Sequence, residues 1–184
     1  MKFECPSKTQ AIFLEKLNKR PNDSGLCEAP TGSGKTLAYI LAAKRAINPD
    51  KKTPQVFVLA HTQNLCIQIV EEFKRVLGDF GINASLCLAL DSGYKLDNKA
   101  QVIIGTLHSF EATFLPKTVR GTKKAALHSP SDVKLLIVDE ADYFFTDAHL
   151  NDIMKKLFRG LNQNVQKLLF SATIDRDVRK DMIE

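Results

Sequence analysis

The stretch Ala29-Pro30-Thr31-Gly32-Ser33-Gly34-Lys35-Thr36 follows a short apolar run and leads into a helix-forming segment, and it narrows the folds open to this chain more than any other feature. A strand that empties through glycines into a helix is suited to holding phosphate. Gly32 and Gly34 lack Cβ atoms, so the backbone can curl tightly and aim successive N–H groups at a row of phosphate oxygens. The positive end of the helix adds to that field. Lys35 is expected to reach the β and γ phosphates as a mobile point charge, and the Thr36 hydroxyl to hold Mg²⁺. The strict pattern opens with Gly; Ala29 stands there instead, which a negative φ allows. The plain alternative is a Gly-Ser-Gly turn that happens to precede Lys-Thr.

The rest of the chain alternates strands and helices. Ala11, Ile12, Leu14 and Leu17 fall close to one helical face, with Ser7 available as a cap, so a helix is expected over Ser7 to Leu17. A strand over Gly25 to Ala29 is followed by a helix from about Gly34 to Asn48-Pro49. Gln55 to Ala60 is a β-prone run, followed by a helix over Gln63 to Leu77 whose inner stripe is Leu65, Ile69, Phe73 and Val76. Ala84 to Leu90 and Gln101 to Gly105 are further strands, the second running into a short helix from Thr106 to about Phe114. Pro116 to Pro130 is basic, without an acidic residue, and is expected to be a surface loop: a finger for nucleic acid or a solvated insertion. Val133 to Val138 is a strand, Ala148 to Arg159 a helix, Val165 to Phe170 the last strand, and a charged segment begins at Asp175. Strands without alternation, separated by helices, predict an α/β domain whose mostly parallel sheet has helices on both faces. At 184 residues, a single domain over 1–184 is expected.

The composition is that of a soluble globular chain, with no apolar run of membrane-spanning length and no secretory signal. An intracellular location is the expectation. Cys5, Cys27, Cys66 and Cys87 are widely spaced and expected to be reduced. His61, His108, His128 and His149 show no ligand spacing, which argues against a zinc site. A net charge of +5 permits a polyanionic partner without requiring one.

In an open parallel sheet, ligands gather outside the carboxyl ends of the strands, and both Gly32 and Asp139 follow strand endings. Asp139 is the candidate to hold Mg²⁺, directly or through water, and Glu140 to orient and deprotonate an attacking water. A carboxylate pair after a strand is also compatible with a favourably charged helix start. Asp142 and Ser171-Ala172-Thr173 form a third group. Hydroxyls at the end of the last strand can bond a neighbouring carboxylate and carry nucleotide state sideways, or merely cap a helix.

Asp139-Glu140-Ala141-Asp142, Ser171-Ala172-Thr173 and the glycine loop together resemble the amino-terminal RecA-like lobe of DEAD-box RNA helicases, over nearly the whole chain. The resemblance implies a RecA-like three-layer fold, ATP and Mg²⁺ as ligands, and a single-stranded RNA backbone bound on one side. It also implies a second RecA-like lobe that this chain lacks. Pro6-Ser7-Lys8-Thr9-Gln10 resembles the family's Q motif, which implies that Gln10 reads the adenine edge. His61-Thr62-Gln63-Asn64-Leu65 occupies the place of Pro-Thr-Arg-Glu-Leu, Gly93 that of a Gly pair, and Thr106-Leu107-His108-Ser109 that of Thr-Pro-Gly-Arg. Thr62, Gln63, Gly93 and Thr106 are therefore the implied RNA contacts, weaker than the family norm. The segments 1–10, 53–55 and 101–106 look most like the subgroup acting in nuclear mRNA export. That implies nucleoporin and inositol-phosphate-bound activator partners, no membrane, and residence in cytoplasm and nucleus, at the nuclear pore. With no His-Arg-x-Gly-Arg segment to supply an arginine finger, the chain alone is expected to hydrolyse ATP very slowly. The other reading is a nucleotide-switched clamp for RNA or protein, without significant catalysis.

Overall fold

Strands that are apolar throughout, such as Val56–Leu59, Val102–Gly105 and Leu135–Val138, must be covered on both sides, and with three more segments they make the central sheet. The six are β1 (Gly25–Glu28), β2 (Val56–Leu59), β3 (Ala84–Cys87), β4 (Val102–Gly105), β7 (Leu135–Val138) and β8 (Gln166–Ser171). Their order is β1-β8-β7-β2-β4-β3, and every neighbouring pair is parallel. The computed structural model describes residues 5–88, 93–119, 122–124, 129–174 and 179.

Period-two alternation sorts the strand side chains into two cores. Val56, Val58 and Ala60 join Leu17, Tyr39 and Phe73 beneath α1 (Lys8–Lys19), α2 (Lys35–Ala46) and α3 (Gln63–Leu77). Phe57 and Leu59 join Phe110, Phe144 and Leu157 beneath α4 (Leu107–Phe114), α5 (Ala141–Thr146) and α6 (Ala148–Gly160). The result is the expected three-layer α/β arrangement. At the amino ends of the strands two buried glutamines satisfy loop backbone: Gln55 serves Asn48 and Lys51, and Gln101 serves Asn83 and Pro49. Buried amides hydrogen-bonded through both oxygen and nitrogen fasten these crossings.

Helix starts follow capping chemistry. Ser7 and Gln10 form a reciprocal capping box on α1, Thr62 caps α3, and Asp147 accepts from the amides of His149 and Leu150 on α6. Two segments differ from the sequence-based expectation. The basic stretch 116–130 is not loop throughout: β5 (Lys117–Val119) and β6 (Thr122–Lys124) pair antiparallel, with Thr118 opposite Lys123 and Val119 opposite Thr122. The β-branched Thr118, Val119 and Thr122 favour extended backbone more than the charge pattern suggests. The short α5 was hidden because six residues carry too little periodicity to read. The expected third-strand end at 89–90, the middle of the basic stretch, residues 1–4 and most of the charged segment from Asp175 lie outside the described residues.

Candidate nucleotide site

Because the six strands are parallel, their carboxyl ends share one rim, and strand order sets the order of the groups along it. The glycine loop leaves β1, Ser171 closes β8, Asp139 and Glu140 leave β7, His61 and Thr62 leave β2, and Thr106 leaves β4. Two strand spacings, about 10 Å, separate the exits of β1 and β7. A nucleoside triphosphate spans such a gap.

The loop is set in a conformation open to an anion. Gly32 and Gly34 have φ of 75° and 89°, and Gly34 occupies the N-cap of α2 without any side-chain cap. The first amides of α2 are therefore left for another acceptor. Ser33 Oγ is buried without a partner. Lys35 Nζ folds back onto the carbonyls of Ala29 at 2.5 Å and Pro30 at 3.1 Å, a neutral resting place that a phosphate oxygen would outbid electrostatically. Ala29 is buried and its N–H donates to the Ser171 carbonyl at 3.0 Å, which ties the loop to β8. Thr31 is exposed at the loop's tip. Ser7 and Gln10 brace the loop from α1. Ser7 Oγ donates to the Ser33 carbonyl at 2.7 Å, and Gln10 Nε2 to the Gly34 carbonyl at 3.1 Å. Gln10 Oε1 accepts from the Ser7 amide at 2.9 Å, so one N–H and one lone pair of its amide remain for a ligand.

Tyr39 joins the loop to the acidic doublet. One turn beyond Thr36 on α2, its phenol is buried and donates to Asp139 Oδ2 at 3.1 Å. Burial, and then the Asp139 charge, push the phenol's pKa well up, so it stays a donor. Burial likewise raises the Asp139 carboxyl, against the Tyr39 hydroxyl, the Glu140 amide and the Lys35 charge, which favour the anion. A desolvated carboxylate beside a hydroxyl, facing a lysine, is a donor set suited to a small hard cation that keeps several waters. Thr36 and Asp139 are the groups that fit Mg²⁺.

Glu140 has a left-handed backbone, φ 49°, which turns the chain sharply out of β7 into α5. Its Oε2 lies 2.6 Å from Nδ1 of His61, and the His61 ring packs on Tyr143 with centroids 5.0 Å apart. Beside them a shallow pocket is lined by Glu140, Asp142, Tyr143, Thr146 and Ala172. Ser171 is buried, with its Oγ 2.5 Å from Asp142 Oδ1 and 2.8 Å from the Thr173 carbonyl. A hydroxyl has one proton, and the carboxylate is the stronger acceptor. The proton therefore goes to Asp142, and Thr173 borders this group with its carbonyl rather than its hydroxyl. A cleft of about 390 Å³ between α1 and β1, lined by Phe13, Lys16 and Leu26 among others, reaches Asp23 to Gly25 at the amino end of β1, away from these groups.

The implied RNA-contacting residues extend the same rim. Thr62 Oγ1 accepts from the Leu65 amide at 3.2 Å, and Gln63 is exposed beside it. Thr106 Oγ1 is 2.9 Å from the buried Ser109 Oγ. Gly93, at φ 76°, has open space around an added Cβ, and among the described residues no contact joins it to the others. Tyr39, His61 and Tyr143 were not singled out from sequence. For Tyr39, the signal was its position three residues after Thr36 on one helix face.

The sequence profile of the DEAD/DEAH box helicases matches residues 7–181. The chain is 33% identical over 183 residues to the ATP-dependent RNA helicase DBP5 of Saccharomyces cerevisiae, covering 98% of this chain and 36% of that protein. It is 31% identical over 186 residues to the human ATP-dependent RNA helicase DDX19B, again covering 98% and 36%. The S. cerevisiae Dbp5 structure bound to RNA and ADP BeF3 superposes with a TM-score of 0.81 at 30% identity, covering 98% of this chain and 44% of that one. A Dbp5 variant bound to Nup159, Gle1, IP6 and ADP gives 0.83 at 29% identity, covering 98% and 46%. The chain therefore spans about a third of the length of the curated relatives it matches.

Proposed function

Given that the chain belongs to the DEAD/DEAH box helicase family, we propose that it is the first RecA-like lobe of an ATP-dependent RNA helicase, binding Mg·ATP and supplying the groups that prepare its hydrolysis. The observation that supports this reading is the hydrogen bond from Tyr39 to Asp139, which ties α2, the helix that the glycine loop opens, to the acidic doublet. Loop amides and Lys35 take the phosphates, Thr36 and Asp139 hold Mg²⁺, and the spare groups of Gln10 meet the adenine edge. When bound, the metal neutralises phosphate charge. Glu140 orients the attacking water and accepts its proton. Ser171 and Asp142 link the β8 exit, hence Ala29, to the base of α5.

RNA is gripped along its backbone by Thr62, Gln63 and Thr106, with Gly93 available for close approach. About three phosphates from one lobe imply a log-log salt slope near −2 for single strands and little sequence preference. A second RecA-like lobe completes the catalytic site, and without it turnover is very slow. The relatives in complex with Nup159, Gle1 and IP6 support a role in remodelling messenger ribonucleoproteins at the nuclear pore, with nucleoporin and export-activator partners. A nucleotide-switched clamp is the alternative, favoured by Ser109, which is buried on Thr106 where the family resemblance places an arginine.

The test is nucleotide-induced thermal stabilisation. Saturating Mg·ADP at a hundred times its Kd adds about 2.7 kcal/mol. Lys35→Ala is expected to abolish that shift, and an unchanged shift overturns the phosphate loop. In the full-length enzyme, Glu140→Gln is expected to bind nucleotide and lose turnover; retained turnover favours another base.

A further inference from the structure

The contact between His61 and Glu140 is absent from the family pattern this chain resembles, which has proline at the position of His61. It follows from the sheet. Leu59 pairs with Val138 in the β2–β7 ladder, so two residues further on His61 and Glu140 leave the rim side by side. The Asp139 amide donates to the Leu59 carbonyl at 2.9 Å, which holds the two exits together. Ala60 is buried on one side of His61, and on the other Thr62 caps α3. The imidazole is held in turn by the Tyr143 ring.

Nδ1 and Oε2 are 2.6 Å apart, although the ring is turned so that Nδ1 has no well-aligned hydrogen bond. The distance decides the matter. Two lone pairs would repel at that separation, so the contact calls for a proton on Nδ1, which a turn of the ring would align with the carboxylate. Glu140 is otherwise half exposed on a side chain with three rotatable bonds, and this contact restrains it.

We propose that His61 is a positioning residue for Glu140: its Nδ1–H anchors the carboxylate that orients water, and it thereby joins the segment that opens α3, where RNA is gripped, to hydrolysis. The proposal rests on the reading of Glu140 as the base. Misplacing a reacting group by an ångström can cost about a hundredfold in rate, so loss of one anchor on a partly restrained base should cost about tenfold.

Two measurements test it. In the intact protein labelled with ¹⁵N-histidine, with four histidines to resolve, long-range ¹H–¹⁵N spectra of the neutral rings should show His61 as the Nδ1–H tautomer. Glu140→Gly, which suits the left-handed backbone, should return it to the Nε2–H form. In the full-length enzyme, His61→Ala should lower kcat of RNA-stimulated ATP hydrolysis about tenfold at unchanged KM for ATP. His61→Asn, whose side-chain amide can donate from nearly the same place, should recover most of it. An Nε2–H ring in the unsubstituted protein overturns the contact, and a kcat for His61→Ala within about twofold of the unsubstituted enzyme overturns the positioning role. An unsubstituted enzyme without RNA-stimulated hydrolysis would sink the helicase reading instead, while the tautomer still decides the contact.

Discussion

Replacing Gly34 by alanine attacks the glycine loop at its most constrained point. The residue sits at φ 89°, where an L side chain is strained, and an added Cβ would lie 2.3 Å from Gln10 Nε2 and 3.1 Å from Gln10 Cδ. The backbone term is about 1–2 kcal/mol. Gln10 cannot stay where it is, so its bond to the Gly34 carbonyl and its half of the α1 capping box are lost. Those losses add about 1–2 kcal/mol. Gly34→Ala should therefore destabilise the nucleotide-free protein by roughly 2–4 kcal/mol, which at about 2–4 °C per kcal/mol for a chain of this size is a Tm lower by roughly 4–16 °C. Urea denaturation measures the free energy and thermal melting the shift. A double-mutant cycle identifies the cause. In a Gln10→Ala background the steric and bonding part has already gone, so Gly34→Ala should cost only the backbone term, about 1–2 kcal/mol. A single substitution costing less than about 0.5 kcal/mol, or strict additivity in the cycle, would refute the picture of Gln10 locked against the loop.

Asp139→Asn tests the buried carboxylate. Its folded-state pKa is raised, so between the unfolded and folded values the native state holds the extra proton and stability falls as pH rises through that window. Asparagine removes the penalty: the nucleotide-free variant should melt a few degrees higher at neutral pH, with the gap closing on acidification, and it should lose Mg²⁺-dependent nucleotide stabilisation. A gap that widens toward low pH contradicts the sign. Ser171→Ala deletes the hydroxyl that Asp142 accepts from, and should cost about 1–2 kcal/mol in urea denaturation while leaving nucleotide affinity intact in calorimetry. Lost affinity would place Ser171 at the nucleotide itself.

The layered fold was legible because its signals are local. Apolar strands such as Leu135–Val138 have no polar face to show, so they announce burial on both sides, and α3 has a single apolar stripe whose expected limits, Gln63 and Leu77, are the observed ones. Short elements escaped. α5 and the β5–β6 ribbon are each a few residues long, and their form depends on packing and pairing more than on pattern. Within the site, Lys35, Thr36, Asp139, Glu140 and Ser171 were readable as residue types at the ends of strands.

What sequence by itself determined, then, is which chemistry lies at the end of which strand, because glycine turns, caps and apolar runs act over a few neighbouring residues. Tertiary structure alone decided which strand ends are neighbours. The order β1-β8-β7-β2 sets Ser171 between the glycine loop and the acidic doublet, brings Tyr39 onto Asp139 and faces His61 with Glu140. Those contacts join residues far apart along the chain, and strand pairing, which depends on how the whole sheet packs its two helical layers, leaves no mark at any one of them.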